Sequence, residues 1–459
     1  MSRVYAAREL DAAAATPDPG SAPQPAAAPR RRASVLYVLS FVPTYVQWEM
    51  RELMRRGVPV SVVLPAAWPR AAMWDHITGF DRHAPDGPAV RVADFHGWLA
   101  QPARALARPA ALLLARVWRR RARVALPLAA RCVREGTVRQ YLAAAWLAEV
   151  STGGDAPAID RISRVHSHFA TDAAYVGSLL AQLLGVPFSV TTHANDIFVP
   201  RVPRRLPRLL ARAAQVFTIS HFNRAHLEAV AGTGIARRVR VLHLGVDVDA
   251  LPRWSPAAQV FTIVCTASGL GEKKGVAVLL DACAMLKARG FRFRCQICGA
   301  DPGERRLSEL RRLVRERGLA DKLSLVGALA WTATQQRVAQ ADVFVLPSIR
   351  TAQGDMDGIP VSLIEAMGIG VPVIASRLSG IPELIEDGRN GWLIPAGDAG
   401  ALADAIERVA SDAALARAMA GRARRRVLDA FSLQRAVDGL LEAWDEPASS
   451  DPRAERRTG

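Results

Sequence analysis

The stretch GDMDGIPVSLIEAMGIGVPVIA, residues 354–375, decides both how the chain folds and where its chemistry sits. From Ile359 to Ala375 it is apolar or small apart from Ser362 and Glu365. Such a run is buried, and an unpaired buried carboxylate is costly, so Glu365 must hold something. Pro360 suits the first helical position, because it has no N–H to leave unpaired there. Gly368 and Gly370 mark the end of the helix. The expected helix is short, and its N-terminus emerges from a loop carrying Gly354, Asp355, Asp357 and Gly358. Asp355 itself reads as a solvated loop acid.

Outward from this stretch, short apolar runs alternate with helical patterns. ASVLYVLS reads as a strand, YVQWEMRELMRRG as a helix ending at Gly57, and VPVSVVLP as the next strand. RVHSHFAT, FSVTTHAND, AQVFTIS and RVRVLHLGV continue the series. A second series follows from Phe261, with FTIVCTAS, RFRCQICG, LSLVGAL, DVFVLPS, VPVIAS and NGWLIPA. Apolar strands alternating with helices imply parallel sheets covered on both faces. In DAGALADAIERVAS, Asp398 can cap a helix whose Leu402, Ile406 and Val409 share a face. The fold class expected is α/β, with two doubly wound domains at 34–248 and 259–430. Ligands in such sheets lie beyond the carboxyl ends of the strands, so two facing domains place the crevice between them.

The chain has 459 residues, too many for one ordinary core. Residues 1–33 and 446–459 read as disordered tails. The net charge of +17 favours anionic partners without choosing among them. Nucleic acid has only this charge in its favour, because no recognisable module accompanies it. Five cysteines fit a reducing compartment, and the CxxC at Cys295 and Cys298 reads as a buried strand end. No stretch reaches the roughly 18 apolar residues of a membrane span, and the N-terminus lacks a signal-peptide core. Residues 98–150 form a basic helical insertion, interrupted at Pro109 and Pro127, that carries Trp98, Trp118 and Trp146. It reads either as a docking face for an anionic membrane or as the solvated face of an Arg-rich chain.

The acidic stretch defines a ligand layout. Free N–H groups and the helix dipole attract phosphate to the helix end. Glu365 stands roughly 8 Å along the axis from Pro360, while Asp357 precedes the first turn. A ligand with central phosphates could touch one acid with a hydroxylated group on each side. A sugar–diphosphate–nucleoside has that layout.

With AMGIGVPVIAS and GIPELIEDGRNGWLIPAGD after it, the acid-x7-acid pair resembles the donor site of retaining glycosyltransferases of family 4. HFATD, THANDIF, FTISHFNR, GEKKG and GDMDGIP bring it nearest to the bacterial exopolysaccharide, colanic-acid-type branch. The resemblance runs from about Ser34 to Trp444 and implies the GT-B fold: two facing Rossmann-like domains with a cleft between them. It implies that Glu365 binds ribose hydroxyls and Asp357 sugar hydroxyls, with Gly358, Ile359 and Pro360 near sugar and phosphate. Lys274 would contact the diphosphate, and Lys273 and Arg350 are the candidates to replace the family's arginine, whose position Gly269 occupies. His193 would face the sugar and the reacting centre, and His168, Asp196, Thr44 and Tyr45 would line the acceptor side. Residues 431–445 would cross back onto the first domain. The bland readings are a structural histidine for His193, a turn histidine for His168, a buried salt bridge for Glu365 and a solvated lysine for Lys274.

Three departures from the family pattern stand out. Asp357 replaces the usual Glu, Gly269 occupies the position of an arginine that helps neutralise the diphosphate, and Val42–Tyr45 replace Ser-Glu-Thr-Phe. The function implied is retaining transfer of a sugar from a nucleotide-sugar, a UDP-sugar by expectation, to a saccharide or lipid-linked saccharide. The alternative is a catalytically impaired nucleotide-sugar-binding scaffold. No cofactor and no metal are expected, since His166 and His168 share a strand without a third ligand. The expected location is cytoplasmic, with a peripheral place at the inner membrane face left open.

Overall fold

The structure, a computed structural model, describes residues 34–64, 89–92, 103–150, 162–199, 205–236, 238–256, 260–299 and 304–446. The expected tails lie outside these residues apart from Glu446, as does Trp98. The apolar runs become two all-parallel sheets. The first contains β1 Ser34–Val38, β2 Val60–Leu64, β3 Ala89–Val92, β4 Ile162–His168, β5 Phe188–Thr192, β6 Gln215–Thr218 and β7 Val239–Val241. Their order is β3-β2-β1-β4-β5-β6-β7. The second contains β8 Phe261–Thr266, β9 Phe293–Cys298, β10 Leu323–Gly327, β11 Val343–Leu346, β12 Val373–Ser376 and β13 Trp392–Ile394. Their order is β10-β9-β8-β11-β12-β13. The strand order reverses at β1/β4 in one sheet and at β8/β11 in the other, the two places where such sheets open a crevice. Strand β3 is not among the sequence expectations; four residues with Arg91 among them give too short an apolar signal for an edge strand.

The chain crosses between the sheets twice, and the crossings pair with each other. The N–H of Val246 donates to Phe431 O at 3.0 Å, and that of Leu433 to Val246 O at 2.9 Å. A side chain at Gly245 would come within 2.5 Å of Ser432 O, so the approach requires glycine. The helix Leu433–Asp445 then lies against the helix Thr44–Arg55 of the first domain. Arg164 Nη2 donates to Trp444 O at 2.8 Å, and Trp444 Nε1 to Ser189 Oγ at 3.2 Å. A third link joins the domains. The Glu383 carboxylate accepts the N–H groups of His221 and Phe222 at 2.9 and 3.0 Å, and His243 Nε2 at 3.1 Å.

The basic segment is part of the fold rather than an addition to it. The helices Ala103–Glu135 and Val138–Val150 bury Val117, Ala125, Leu128, Cys132, Tyr141 and Leu147 in the first domain's core. The first of them runs through both prolines, and its non-helical residue is Arg121 (φ −139°, ψ 28°). All five cysteines are buried and unpaired, Cys295 and Cys298 on β9.

Candidate functional site

The helix anticipated after the acidic loop spans Val361–Ile369. It starts one residue later than expected. Pro360 is extended (φ −66°, ψ 127°) and stands before the first turn instead of in it. Its carbonyl accepts the N–H groups of Leu363 and Ile364 at 3.0 and 3.3 Å. No side chain caps this end, and Val361 and Ser362 have no intrahelical acceptor. Gly370 is the left-handed terminator (φ 88°), whereas Gly368 lies inside the helix.

Glu365 is 7% exposed. Its two oxygens accept Trp331 Nε1–H at 2.8 Å and Gln335 Nε2–H at 2.9 Å. The salt bridge weighed for this residue is therefore replaced by two neutral donors. Burial raises its pKa to about 7, although both donors pull the other way. Trp331 packs edge-on against Trp48 of the helix Thr44–Arg55, ring centres 5.3 Å apart, so Glu365 sits at the seam between the domains.

Asp357 is held by cations and a hydroxyl. Lys274 Nζ lies 3.0 Å from each of its oxygens, and Ser348 Oγ donates to Oδ2 at 2.8 Å. Local backbone explains the meeting. Gly275 (φ 65°) lies so close to Pro347 O that a Cβ would stand 1.7 Å away, which presses the lysine loop onto the loop after β11. Lys273 Nζ bonds Asp355 Oδ1 at 3.2 Å, so Asp355 is a paired acid and not a solvated one. Ser379, itself left-handed (φ 46°), donates to the carbonyls of Asp357 and Gly358 and fixes the acidic loop.

This loop meets the first domain directly. A Cβ on Gly358 would lie 2.9 Å from Ile219 Cδ1 and 3.1 Å from His193 O. The facing wall is built at the ends of β4 and β5. His193 follows β5 and is 4% exposed. Its Nε2 lies 3.1 Å from His168 Nδ1, and His168 Nε2 lies 2.9 Å from Glu49 Oε1. Phe169, left-handed at φ 65°, stacks on the His193 ring at 4.1 Å, and Tyr45 stands 5.5 Å away. Burial, reinforced by His168, drives the His193 pKa well down, so its ring is neutral. Asp196, expected on the acceptor side, is 6% exposed, and its carboxylate accepts the N–H groups of Ala170, His193 and Ala194. It positions the histidine loop. Thr44 opens the helix that carries Tyr45 and Glu49.

His166 and His168 do have a third neighbour, contrary to the sequence expectation. Ligand atoms of Glu49, His166 and His168 lie within 4.8 Å of one another. Each ring nitrogen already has a protein partner: those of His166 face Ser189 Oγ at 2.8 Å and Thr191 Oγ1 at 3.3 Å.

The replacement cations proposed for the missing arginine are placed differently from each other. Lys273 is engaged with Asp355, and Arg350 is exposed beside Gly354. Arg306, not singled out in the sequence, reaches the loop itself, with Nε 3.3 Å from Leu270 O. Gly269 is left-handed (φ 70°), so glycine there answers the turn as well as the chemistry. Sequence reasoning also missed Glu49, Trp48, Trp331, Gln335 and Ser348. No local pattern marks them, because each acts across the fold.

Residues 42–250 match the family model described as Glycosyltransferase Family 4, and residues 260–412 the model described as Glycosyl transferases group 1. The chain thus carries a Glycosyltransferase Family 4 domain followed by a Glycosyl transferases group 1 domain. It is 39% identical over 199 residues to the putative colanic acid biosynthesis glycosyltransferase WcaL of Salmonella typhimurium, which is 43% of this chain and 48% of that protein. It is 35% identical over 243 residues to the amylovoran biosynthesis glycosyltransferase AmsK of Erwinia amylovora, 53% and 58% of the two chains. It thus spans about half the length of the curated relatives it matches. Among solved structures, Anabaena HepE in complex with UDP aligns with a TM-score of 0.65 at 19% identity, covering 90% of this chain and 99% of that one. The fold is GT-B.

Proposed function

We propose that the protein is a retaining glycosyltransferase of exopolysaccharide assembly, moving a sugar from a nucleotide-sugar to a hydroxyl of a saccharide or lipid-linked saccharide. One observation carries this. An uncapped helix end, with a lysine-held acid before it and a nearly buried acid within it, is pressed against a neutral histidine of the opposite domain. The helix end and Lys274 meet the diphosphate. Glu365 takes the ribose hydroxyls in place of its two neutral donors, and Asp357 takes sugar hydroxyls. UDP is the nucleotide favoured, the same fold being one that holds UDP-glucose in HepE.

The acceptor oxygen attacks the anomeric carbon from the face the diphosphate leaves. The bond from that carbon to the phosphate oxygen breaks, the bond to the acceptor oxygen forms, and the acceptor proton passes to the departing phosphate. The protein's work is positioning, charge stabilisation and exclusion of water. Incubation with radiolabelled UDP- and GDP-sugars and a membrane lipid extract tests the reading. Transfer of label is the expected result, and nucleotide binding without turnover would favour the scaffold instead.

The acceptor side favours an anionic membrane surface. Val124, Leu126, Val133 and Val138 are exposed beside exposed Arg119, Arg123, Arg134 and Arg139. No described helix is long and apolar enough to cross a membrane, so contact would be with the surface.

A further inference from the structure

Glu49, His168 and His193 lie far apart in sequence and form a chain of ring nitrogens and carboxylate whose protons can be assigned. The assignment begins at Tyr37. Its phenol is buried, which keeps it protonated, and it donates to Glu49 Oε1 at 2.7 Å. The same oxygen lies 2.9 Å from His168 Nε2. A carboxylate accepts only, so the proton between them belongs to His168 Nε2. With its one ring proton on Nε2, His168 presents a bare Nδ1, and the proton in the 3.1 Å contact belongs to His193 Nε2. The remaining nitrogen of His193, Nδ1, has no partner among the described residues.

We infer that Glu49 and His168 are positioning residues that hold His193 in the Nε2–H tautomer, so that its Nδ1 can only accept a hydrogen bond. The inference rests on the glycosyltransferase reading for its ligand. An acceptor-only nitrogen repels phosphate and carbonyl oxygens and selects a hydroxyl. His193 therefore reads a hydroxyl of the transferred sugar and turns the diphosphate toward Lys274 on the opposite wall. A doubly protonated His168 would keep its Nε2–H on Glu49 but donate from Nδ1 to His193 Nε2, which moves the His193 proton to Nδ1 and makes that nitrogen a donor; this is the competing arrangement.

Nitrogen-15 spectra of the histidine rings in the full chain, assigned with His193→Asn, read the tautomers without any ligand. The expected result is His193 protonated at Nε2 and bare at Nδ1. Glu49→Gln keeps a carbonyl oxygen for both donors and should preserve this pattern. Glu49→Leu removes the acceptor and should give mixed tautomers, with UDP-glucose binding roughly 10-fold to 100-fold weaker. Should Glu49→Leu fail to fold, the wild-type spectrum decides alone. A proton on Nδ1 of His193 in the wild type, or an unchanged spectrum in a folded Glu49→Leu, overturns the inference. The expected spectrum in a protein that binds no nucleotide-sugar would keep the relay and overturn the function instead.

Discussion

The two walls of the cleft are built by opposite means. On the second domain, Asp357, Lys274, Asp355 and Lys273 form a charged cluster that balances itself. On the first, His166, His168 and His193 are buried, and burial first and neighbouring rings second push the pKa values of His166 and His193 well down. One wall offers paired charges, and the other offers the neutral rings of His166 and His193 with the Glu49 carboxylate set behind His168. The contrast suits a ligand that is ionic in its centre and hydroxylated at its end, and it suits a transition state in which charge grows on the leaving diphosphate.

The strongest way to break this contrast is to remove its principal cation. Lys274→Met should lower kcat about 10²-fold to 10³-fold, the scale of losing one preorganised charge-stabilising group. It also leaves Asp357, which is 6% exposed, to Ser348 Oγ and a Lys273 ammonium 4.0 Å away, so the melting temperature should fall as well. Adding Asp357→Asn to that variant should restore stability but not turnover. Full recovery of kcat in the double variant would show that the lysine serves only the acid.

Glu365 sharpens the contrast, because it is an acid kept among neutral donors. Its folded pKa of about 7 lies above the ordinary 4.5. The folded state therefore holds its proton more tightly than the unfolded chain. Stability is fully present below about pH 4.5 and declines as pH rises to about 7, by roughly 3 kcal/mol in all. Glu365→Gln should raise the melting temperature by a few degrees at pH 8 and leave it unchanged at pH 4.5. It should also weaken nucleotide-sugar binding about tenfold, since a carboxylate accepts from hydroxyls more strongly than an amide. Equal melting shifts at both pH values would mean that Glu365 ionises normally in the folded protein.

The two walls also differ in how far the sequence discloses them. Asp357 and Glu365 fall within one turn-and-helix, and Pro360, Gly370 and the apolar run around them set the local structure, so helix, cleft side and expected chemistry could be read together. The strands of both sheets announce themselves in the same way, as continuous apolar runs bounded by Gly, Pro or polar residues; β3 escapes because an edge strand needs only half of that signal. Glu49 belongs to a helix 119 positions before His168 and carries no mark of its role. The same holds for Trp331, whose indole reaches Glu365 from 34 residues away and Trp48 from the other domain. Partners that meet only through sheet order cannot be recovered from periodicity, and neither can the face that the basic helices bury in the core while Arg119, Arg123, Arg134 and Arg139 stay exposed, as composition suggested.

Glu383 ties the walls together, and loosening it should move both at once. Burial opposes its charge, but His243 and the N–H groups of His221 and Phe222 prevail, and its pKa is lowered. The stabilisation is thus present above the ordinary carboxyl pKa and is lost as pH falls through the lower folded value. Glu383→Ala should cost about 1–2 kcal/mol at pH 7 and raise KM for the nucleotide-sugar several-fold with a smaller change in kcat. An unaltered KM would mean that domain closure does not depend on this clasp.

The smallest effect is expected at Gly269, where the family pattern alone would forecast the largest. If arginine were simply missing there, Gly269→Arg should raise turnover strongly. The backbone argues otherwise: Gly269 is left-handed at φ 70°, and Leu270 after it is left-handed too at φ 46°. A side chain has open space at this position, so the penalty is the conformation itself, about 1 kcal/mol. Arg306, ion-paired with Glu309 at 2.6 Å, meanwhile donates to the carbonyl of Leu270 and brings a guanidinium to the same loop from another helix. Gly269→Arg should therefore lower the melting temperature by a degree or two and change kcat less than about threefold, against the 10²-fold scale of a true charge-stabilising donor. A tenfold rise would show that the charged wall is short of a cation after all, and that Arg306 does not supply it.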